Sequence, residues 1–267
     1  MAILTASRQV GSGWAEVRQA IVSSLGYESI DKAKLLYEIR PLGRKWEQWA
    51  QELDRSRPSI WEKYDWSFKG FGALVQSILL NYALKDNVCL TGRGANFLLE
   101  NIPNAFRIRI VAPMDQRIER IAKSESVSQE TAEWMADKAD RDSAGFVQAL
   151  YGKNMNDPKY YDVVFDSGVK SVDEISMEVK EALLARDSLK TETSQKILKM
   201  RSLAATIKAA IFTEPRLYIP TLDVESSGTE LILRGIVHNP SQHRLIEEMV
   251  RKISGEIPVR CELRHRW

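Results

Sequence analysis

The sequence has few of the residues that build covalent or metal-centred scaffolds. Its 267 residues include two cysteines, Cys89 and Cys261, each in an apolar or alternating run with no second cysteine nearby. This argues against a disulfide framework, and we expect two buried free thiols. The three histidines, His238, His243 and His265, form neither a metal-ligand spacing nor a catalytic triad. We therefore expect them at the surface, and no metal site built from protein side chains.

An excess of charge of one sign is also missing. The 38 Lys and Arg against 36 Asp and Glu leave a formal net charge of +2, with both signs interspersed. Nucleic-acid binding needs a clustered basic footprint, so no nucleic-acid partner is expected. The chain has no apolar run of about 18 residues and no basic N-terminal stretch followed by an apolar one. Membrane attachment is not expected, and the default expectation is a cytoplasmic protein.

Short apolar runs alternate with amphipathic stretches through the first 185 residues. We expect strands at residues 2–6, 27–30, 87–91, 106–112 and 163–165, with helices between them. Such alternation is typical of right-handed crossovers and predicts an α/β fold with a mainly parallel, doubly wound sheet. Residues 40–71 are less regular and are interpreted as helix pieces and loops. The tryptophans in this stretch are interpreted as packing residues, namely Trp46, Trp49, Trp61 and Trp66.

The composition becomes polar between Asp187 and about Met200, and we place a domain boundary there. The predicted organisation is a first domain at 1–186, a linker at 187–200 and a second domain at 201–267. In the second domain we expect helices at 203–212 and 242–253 and strands at 222–225, 230–237 and 259–263. This pattern predicts a small α+β module with antiparallel pairing.

A glycine turn follows the first predicted strand and opens the first helix, with Gly11, Ser12 and Gly13 in sequence. Unpaired backbone N–H groups and the positive end of the helix dipole suit a phosphate at such a place. A tight connection without a ligand is the alternative. The Walker pattern is not satisfied, because Trp14 and Ala15 stand where its Lys and Ser/Thr would follow the last glycine. This loop therefore supplies neither an ammonium group nor an adjacent hydroxyl for Mg²⁺.

Further motifs follow this glycine turn in a fixed order. They are Ser7-Arg8-Gln9-Val10-Gly11-Ser12-Gly13, Leu25-Gly26-Tyr27 with Asp31-Lys32, Gly92-Arg93-Gly94, and Asn156-Asp157-Pro158 with Tyr161-Asp162. Together they resemble the cytidylate kinase-like family, a branch of the P-loop nucleoside monophosphate kinases, over roughly residues 1–185. The resemblance implies a three-layer α/β fold with a phosphate loop, a monophosphate-binding region and a mobile lid. It also implies transfer of the ATP γ-phosphoryl group, with Mg²⁺, to a nucleoside monophosphate such as CMP.

The resemblance also implies roles for single residues. The phosphate-binding positions are Arg8, Gly11, Ser12 and Gly13, and the acceptor-nucleotide positions are Asp31 and Arg93. Basic positions around the lid are matched by Arg117, Arg120 and Arg141, and Arg120 and Arg141 are expected to be the catalytic cations that close over the transferring group. Alternatives remain for some of these. Asp31 could be only a helix N-cap, and Arg117 and Arg120 could be solvated or ion-paired arginines.

The chain also departs from the family at places where cations are expected. Relatives carry a further glycine and an arginine at Trp14 and Ala15, and additional arginines in the lid around Ser143, Ala144 and Gln148. Phosphoryl transfer depends on charge stabilisation, so such losses could abolish turnover while the fold is kept. Two alternatives to an active kinase follow. One is a catalytically impaired nucleotide or phosphate-ligand sensor, and the other is a structural interaction protein whose loop is plugged by Trp14.

The C-terminal segment carries a second resemblance. Leu231-Ile232-Leu233-Arg234-Gly235-Ile236-Val237, a helix at 244–253, Gly255 and a strand at 259–263 resemble a BON domain. The resemblance implies a ligand-associated or phospholipid-associated binding module. Because no basic amphipathic helix is present, we expect an unknown small ligand or self-association here, through which the sensor alternative would signal. A plain packing module is the alternative.

Overall fold

The structure is a computed structural model that describes residues 2–52 and 65–266. These residues form two compact units. Residues 2–52 and 85–190 belong to the first unit, and residues 65–84 and 191–266 belong to the second. Trp61, one of the four tryptophans interpreted as packing residues, lies outside the described residues.

The first unit is built on a five-stranded sheet. Its strands are β1 (Ile3–Arg8), β2 (Glu28–Ile30), β3 (Val88–Thr91), β4 (Ala105–Val111) and β5 (Val163–Asp166). They pair in the order β2-β3-β1-β4-β5, and every pair is parallel. The predicted α/β fold with a parallel sheet is confirmed.

The described part of the chain contains ten α-helices, some in the first unit and some in the second. They are α1 (Trp14–Leu25), α2 (Lys32–Ile39), α3 (Arg44–Glu52), α4 (Trp66–Ala83), α5 (Ala95–Leu98), α6 (Met114–Glu125), α7 (Gln129–Tyr151), α8 (Val172–Asp187), α9 (Glu192–Thr213) and α10 (Pro240–Ser254). Short 3₁₀ turns occur at Arg40–Leu42 and Pro158–Tyr160. None of the helices that the structure describes combines the length and apolar character needed to cross a bilayer.

One face of the parallel sheet is covered by α1 and α8. Leu4 and Ala6 of β1 and Ile108 of β4 lie in a buried apolar cluster with side chains of both helices. Because side chains alternate along a strand, Ser7 and Arg109 lie on the opposite face, where they are opposite each other in register. The sheet therefore presents an apolar face to α1 and α8 and polar groups on its other face near the strand ends.

Helix α4 begins at Trp66, inside the stretch at 40–71 that is interpreted as helix pieces and loops. The reason is Asp65, whose carboxylate accepts hydrogen bonds from the backbone N–H groups of Ser67 and Phe68 and caps the helix. In the same irregular stretch, Trp46 on α3 is buried, as expected for a packing residue. Capping by an aspartate thus sets the start of α4 within a stretch whose hydrophobic pattern is irregular.

The second unit contains a three-stranded sheet with β6 (Asp223–Ser226), β7 (Leu231–Val237) and β8 (Val259–His265) in that order. β6 and β7 are antiparallel, whereas β7 and β8 are parallel. The prediction of antiparallel pairing is therefore wrong for β8. The physical reason is that α10 lies between β7 and β8 in the chain and forms a crossover connection, which returns the chain in the same direction.

Part of the polar stretch at 187–200 is helical. Thr191 caps α9 through a capping box with Ser194, and the buried Ser194 and Leu198 show that this first part of α9 already has an inner face. Helix α4, from the first third of the sequence, packs against α9. The Ser77 and Thr206 hydroxyls lie 3.0 Å apart across this pair of helices. The second unit thus combines α4, which ends at Ala83, with a segment that begins more than a hundred residues later, at Thr191.

The two cysteines are both free thiols, but they differ in burial. Cys89 on β3 is fully buried, and burial raises the pKa of its thiol to about 12. Cys261 on β8 is only half-buried, because β8 is an edge strand, so the expectation of two buried thiols holds for Cys89 alone.

An aromatic cluster of the second unit provides a test of its packing. The Trp66 ring lies 4.4 Å from the buried Phe212 ring and 5.1 Å from the Tyr218 ring, which is 57% exposed. We expect Phe212→Ala to lower the free energy of unfolding by about 3 to 5 kcal/mol, because it opens a cavity in the core. Tyr218→Ala is the matched control and should cost under about 1 kcal/mol. Denaturant titration measures both values, and equal losses would contradict this account of the unit.

Candidate functional site

The glycine turn after β1 is a compact loop that leads directly into α1. Gly11 has φ +78° and Gly13 has φ +77°, a region of backbone conformation that favours glycine. A Cβ atom at Gly11 would lie 2.8 Å from the carbonyl oxygen of Arg117, so a side chain has no space there. Gly13 caps α1, and the first N–H groups of that helix have no partner within it. The loop therefore has the backbone form of an anion-binding turn.

Arg117 on α6 anchors this loop from behind. Its side chain is 2% exposed, and its Nε donates to the carbonyl oxygen of Val10 over 2.8 Å. Its Nη1 and Nη2 donate to the two carboxylate oxygens of Asp140 on α7 over 2.8 and 3.0 Å. This is a bidentate, charge-assisted pair, and it connects the loop to α6 and α7. Arg117 is thus an ion-paired arginine, which is one of the two alternatives for this residue.

Arg120, one turn further along α6, reaches the loop itself. Its Nη1 donates to the carbonyl oxygen of Gly11 over 3.2 Å and to Ser167 Oγ over 2.8 Å. Its Nη2 donates to Gln116 Oε1 over 3.1 Å and to the Ser167 carbonyl over 3.3 Å. All four acceptors are uncharged, so the positive charge of Arg120 is not neutralised by a carboxylate among the described residues. The guanidinium therefore adds positive potential at the loop.

Two further arginines stand at the carboxyl ends of neighbouring strands. Arg8 ends β1, and its Nη1 lies 3.7 Å from where a Cβ atom of Gly92 would be. Arg93 follows β3 with φ +58°, and its guanidinium carbon lies 5.7 Å from the centre of the Phe146 ring. Ligands of open parallel sheets bind at this edge. The structure thus brings Arg8 and Arg93 to the same side of the sheet as the loop.

Asp31 is held by two interactions. It caps α2 by accepting from the backbone N–H of Lys34 over 3.2 Å, and its other carboxylate oxygen accepts from Arg18 Nη1 over 2.7 Å. Asp31 and Arg18 both border the cavity described below. Asp31 is therefore an N-cap, as the alternative for this residue states, and also a component of the cavity wall.

A cavity of about 860 Å³ opens beside the loop, within the usual size range of small-molecule sites. Its wall includes the loop, the ends of β1 and β3, the start of α2 and one face of α7. Trp14 is 5% exposed and packs into the core with Val17 and Ile21. Trp14 therefore does not plug the loop, and a large cavity is present next to Gly11 and Gly13.

The face of α7 that borders the cavity carries a carboxylate rather than arginines. Asp142 and Ser143 line the cavity, and Asp142 is paired with Lys138. Arg141, predicted as a catalytic cation, is exposed and is not among the described residues that line the cavity. The lining positions 135, 139, 142 and 146 share one face of α7, and Arg141 lies off that face. The structure therefore brings Arg120 to the loop and leaves Arg141 on the outer side of α7.

Sequence reasoning missed Arg109 on β4. Its side chain is 5% exposed, and it donates to Ser7 Oγ over 2.9 Å and to Asn156 Oδ1 over 2.7 Å. Its guanidinium carbon lies 5.8 Å from the centre of the Tyr161 ring. The available signal was a charged residue inside an apolar strand of a parallel sheet, where charged side chains are rarely buried.

The cavity fits phosphate groups better than it fits a separate metal ion. The Ser12 hydroxyl is buried, has no hydrogen-bond partner among the described residues and belongs to a residue that lines the cavity. Such an orphaned donor is suited to an oxyanion ligand. In the described part of the chain no group of three or more His, Cys, Asp and Glu is placed to hold a metal. A magnesium ion would therefore be held largely by substrate phosphates, as this ion commonly is.

The close approach at Gly11 can be tested with a matched glycine. Gly26 has φ +68° and no atom within 4 Å of the point where a Cβ atom would stand, so Gly26→Ala meets only backbone strain of about 1 to 2 kcal/mol. Gly11→Ala meets the same strain and also the Arg117 carbonyl. We expect its loss of unfolding free energy to be at least twice that of Gly26→Ala in denaturant titrations. Equal losses would show that the loop accommodates the added methyl group without a further loss of unfolding free energy.

Two families of known proteins match different parts of the chain. Residues 3–169 match the family model of the cytidylate kinase-like family, and residues 201–265 match that of the BON domain. The cytidylate kinase of Pyrococcus abyssi is 25% identical over 181 residues, which cover 68% of this chain and 93% of that protein. The cytidylate kinase of Natronomonas pharaonis is 24% identical over 194 residues, covering 68% of this chain and 90% of that protein.

A solved structure shows the same fold. An uncharacterized protein from Eubacterium ventriosum superposes with a TM-score of 0.54 at 18% identity, covering 68% of this chain and 98% of that chain. The family match spans well over half of the chain and includes the glycine loop, the Gly92–Gly94 turn and α6 and α7. The chain carries a C-terminal BON-like domain and belongs to the cytidylate kinase-like family.

Proposed function

We propose that the first unit transfers the γ-phosphoryl group of ATP to a nucleoside monophosphate, with CMP as the first acceptor to test. The observation that carries this proposal is the single cavity that joins the glycine loop to the arginines at the ends of β1 and β3. A donor triphosphate and an acceptor monophosphate need adjoining anion sites of this kind. The names of the curated relatives support cytidylate as the acceptor.

On the donor side, the backbone N–H groups of Gly11 and Gly13 and the unpaired hydroxyl of Ser12 would bind the ATP phosphates at the N-terminus of α1. The Ser12 N–H itself donates to the Gln9 carbonyl and shapes the loop. Arg120 adds a charge next to this loop while its hydrogen bonds hold Gly11 and Ser167. Magnesium bound with ATP would supply positive charge that offsets part of the negative charge of the phosphates. The protein itself would position the two substrates and exclude water, and no covalent intermediate is needed.

On the acceptor side, Arg93 would orient the monophosphate. Arg8, which the family resemblance assigns to the phosphate loop, lies beside Gly92, and we propose that it reaches the acceptor phosphate as well. Asp31 is oriented by Arg18 and by its capping bond to α2, so its carboxylate has a fixed position in the cavity wall. A carboxylate there can accept a hydrogen bond from a donor group of the nucleoside. In this proposal Asp31 selects the acceptor, and the arginines bind its phosphate.

A slower kinase than an arginine-rich one is expected. One arginine that stabilises the transferring phosphoryl group is worth roughly 10³ to 10⁵ in rate. The cavity face of α7 supplies Asp142 and Ser143, and the loop is followed by Trp14 in the core. These same observations favour the second candidate function, a nucleotide or phosphate-ligand sensor that signals through the BON-like domain. For that domain we propose a small ligand or self-association.

The two candidates differ in turnover, which phosphorus NMR measures directly. The full-length protein is mixed with Mg²⁺, ATP and a panel of nucleoside monophosphates, and the β-phosphate signals of the products are followed. ADP together with a nucleoside diphosphate supports the kinase and identifies its acceptor. Saturable binding of ATP or CMP without turnover, at high protein concentration over hours, supports the sensor. Protein that binds neither would contradict both.

Arg120 can be tested against a lysine on the same helix. Arg120→Gln removes the charge next to Gly11 and is expected to lower kcat by about a hundredfold, in the range found for a single electrostatic group. Lys123→Gln is the matched control, because Lys123 is exposed on α6 and lies outside the cavity lining. It should change kcat less than about twofold. Similar kcat values for both variants would remove Arg120 from the proposed mechanism.

Arg141 provides a test of the role implied by the family resemblance. It lies on the outer side of α7, so a catalytic contact would need a movement of this helix that turns it inward. From its exposed position we expect Arg141→Gln to keep kcat within about twofold. A fall of a hundredfold or more at unchanged KM would restore the catalytic role of Arg141 and indicate that the lid rearranges during turnover.

A further inference from the structure

Two arginines are buried among the described residues, and they differ in how their charge is balanced. Arg117 forms a bidentate pair with Asp140. Arg109 contacts the Ser7 hydroxyl, the Asn156 side-chain carbonyl and the face of the Tyr161 ring, and each of these groups is uncharged. No described carboxylate forms an ion pair with it. Arg109 is thus a buried cation without a counter-ion in the part of the chain that the structure describes.

Such a group is costly in a protein that uses it only for packing. Burying a charge is unfavourable unless it is paired, and a buried arginine usually has a carboxylate nearby. Arg107, two residues earlier on the same strand, is only partly buried and still has such a partner, since its Nη2 lies 2.9 Å from Asp162 Oδ1. The missing negative charge at Arg109 is therefore a specific feature of this position and points to an anion supplied by a ligand.

Ser7 connects Arg109 to the cavity. The two residues lie opposite each other in register on β1 and β4, and Arg109 Nη1 donates to Ser7 Oγ over 2.9 Å. Ser7 lines the cavity, is 7% exposed, and makes no described hydrogen bond as a donor. A hydroxyl oxygen that accepts from a guanidinium becomes a better donor through its own proton. The Ser7 proton is therefore available to a group in the cavity.

We infer that Ser7 and Arg109 form an anion-binding element in the cavity floor, with Ser7 donating to an oxygen of the acceptor monophosphate and Arg109 providing the positive charge behind it. This inference rests on the proposed function, which puts a nucleoside monophosphate beside Arg8 and Arg93. Ser7 directly precedes Arg8, so the element adjoins that acceptor site. Arg109 acts through Ser7 and is a positioning residue. Arg109 thus provides positive charge from β4. On α7, the lining position 143 holds an uncharged serine.

The experiment measures binding of CMP and of cytidine by isothermal titration calorimetry with the full-length protein, without ATP. Arg109→Met is expected to weaken CMP binding by about tenfold, the size of one charge-assisted hydrogen bond, and to leave cytidine binding within about twofold. Arg109→Lys keeps the charge and should restore part of the loss. Ser7→Ala should weaken CMP binding similarly, and the double variant with Arg109→Met should be no weaker than the worse single variant, because the two residues act as one element.

Arg107→Met is the matched control, since it removes an arginine from the same strand whose charge is already paired. It should leave both affinities unchanged. Arg109→Met should also be at least as stable as the parent in denaturant titration without ligand, because it removes an uncompensated buried charge. If Arg109→Met does not fold, Arg109→Lys and Ser7→Ala carry the test.

Three results would overturn the inference. They are CMP binding to Arg109→Met as tight as to the parent, an equal loss of CMP and cytidine affinity, and a parent protein that binds CMP no better than cytidine. Turnover does not enter these measurements. A parent protein that binds CMP but never phosphorylates it therefore contradicts the proposed kinase function. The CMP affinities of the Ser7 and Arg109 variants still test the inference in that case.

Discussion

The arrangement of the candidate site depends on one ion pair, between the buried Arg117 and the partly exposed Asp140. Arg117 holds both oxygens of Asp140 and the carbonyl of Val10, so one guanidinium fixes α6, α7 and the glycine loop relative to one another. Its own backbone carbonyl limits the space at position 11 to a glycine. The loop conformation is thus imposed by the helix behind it as well as by its own glycines. A site built in this way has its anion-binding backbone in place before any ligand arrives.

Around this fixed loop, positive charge comes mainly from the strand ends and from α6. Arg8 and Arg93 follow adjacent parallel strands, Arg120 reaches the loop from α6, and Arg109 stands beneath the cavity floor. The helix α7 contributes Asp142 instead. In a cavity with low-dielectric walls, cations on the static sheet act on a ligand whether or not a lid closes. The arginines on the sheet and on α6 therefore provide positive charge at the cavity without a movement of α7.

Sequence reasoning predicted the parallel sheet, the position of the glycine loop and the strand-end place of Arg93. These follow from local signals, since alternating apolar runs and glycines at strand ends are read directly from the chain. It could not predict which way Arg141 points, because the sequence does not show which face of α7 borders the cavity. Sequence reasoning also did not predict the parallel pairing of β8 or the packing of α4 against α9, since both depend on contacts between segments far apart in sequence. Arg109 was missed because the sequence does not show that its side chain is buried without a carboxylate partner among the described residues.

Helix α4 carries a consequence for the order in which the protein is made. It ends at Ala83, and its packing partner α9 begins at Glu192, 109 positions later. At synthesis rates of about 5 to 20 residues per second, α9 follows α4 out of the ribosome by roughly 5 to 20 seconds. During this interval the apolar side chains of α4, among them Phe71, Val75 and Leu79, have no α9 to pack against. The nascent chain must therefore keep an unpaired apolar helix from aggregating until the last third of the protein has emerged.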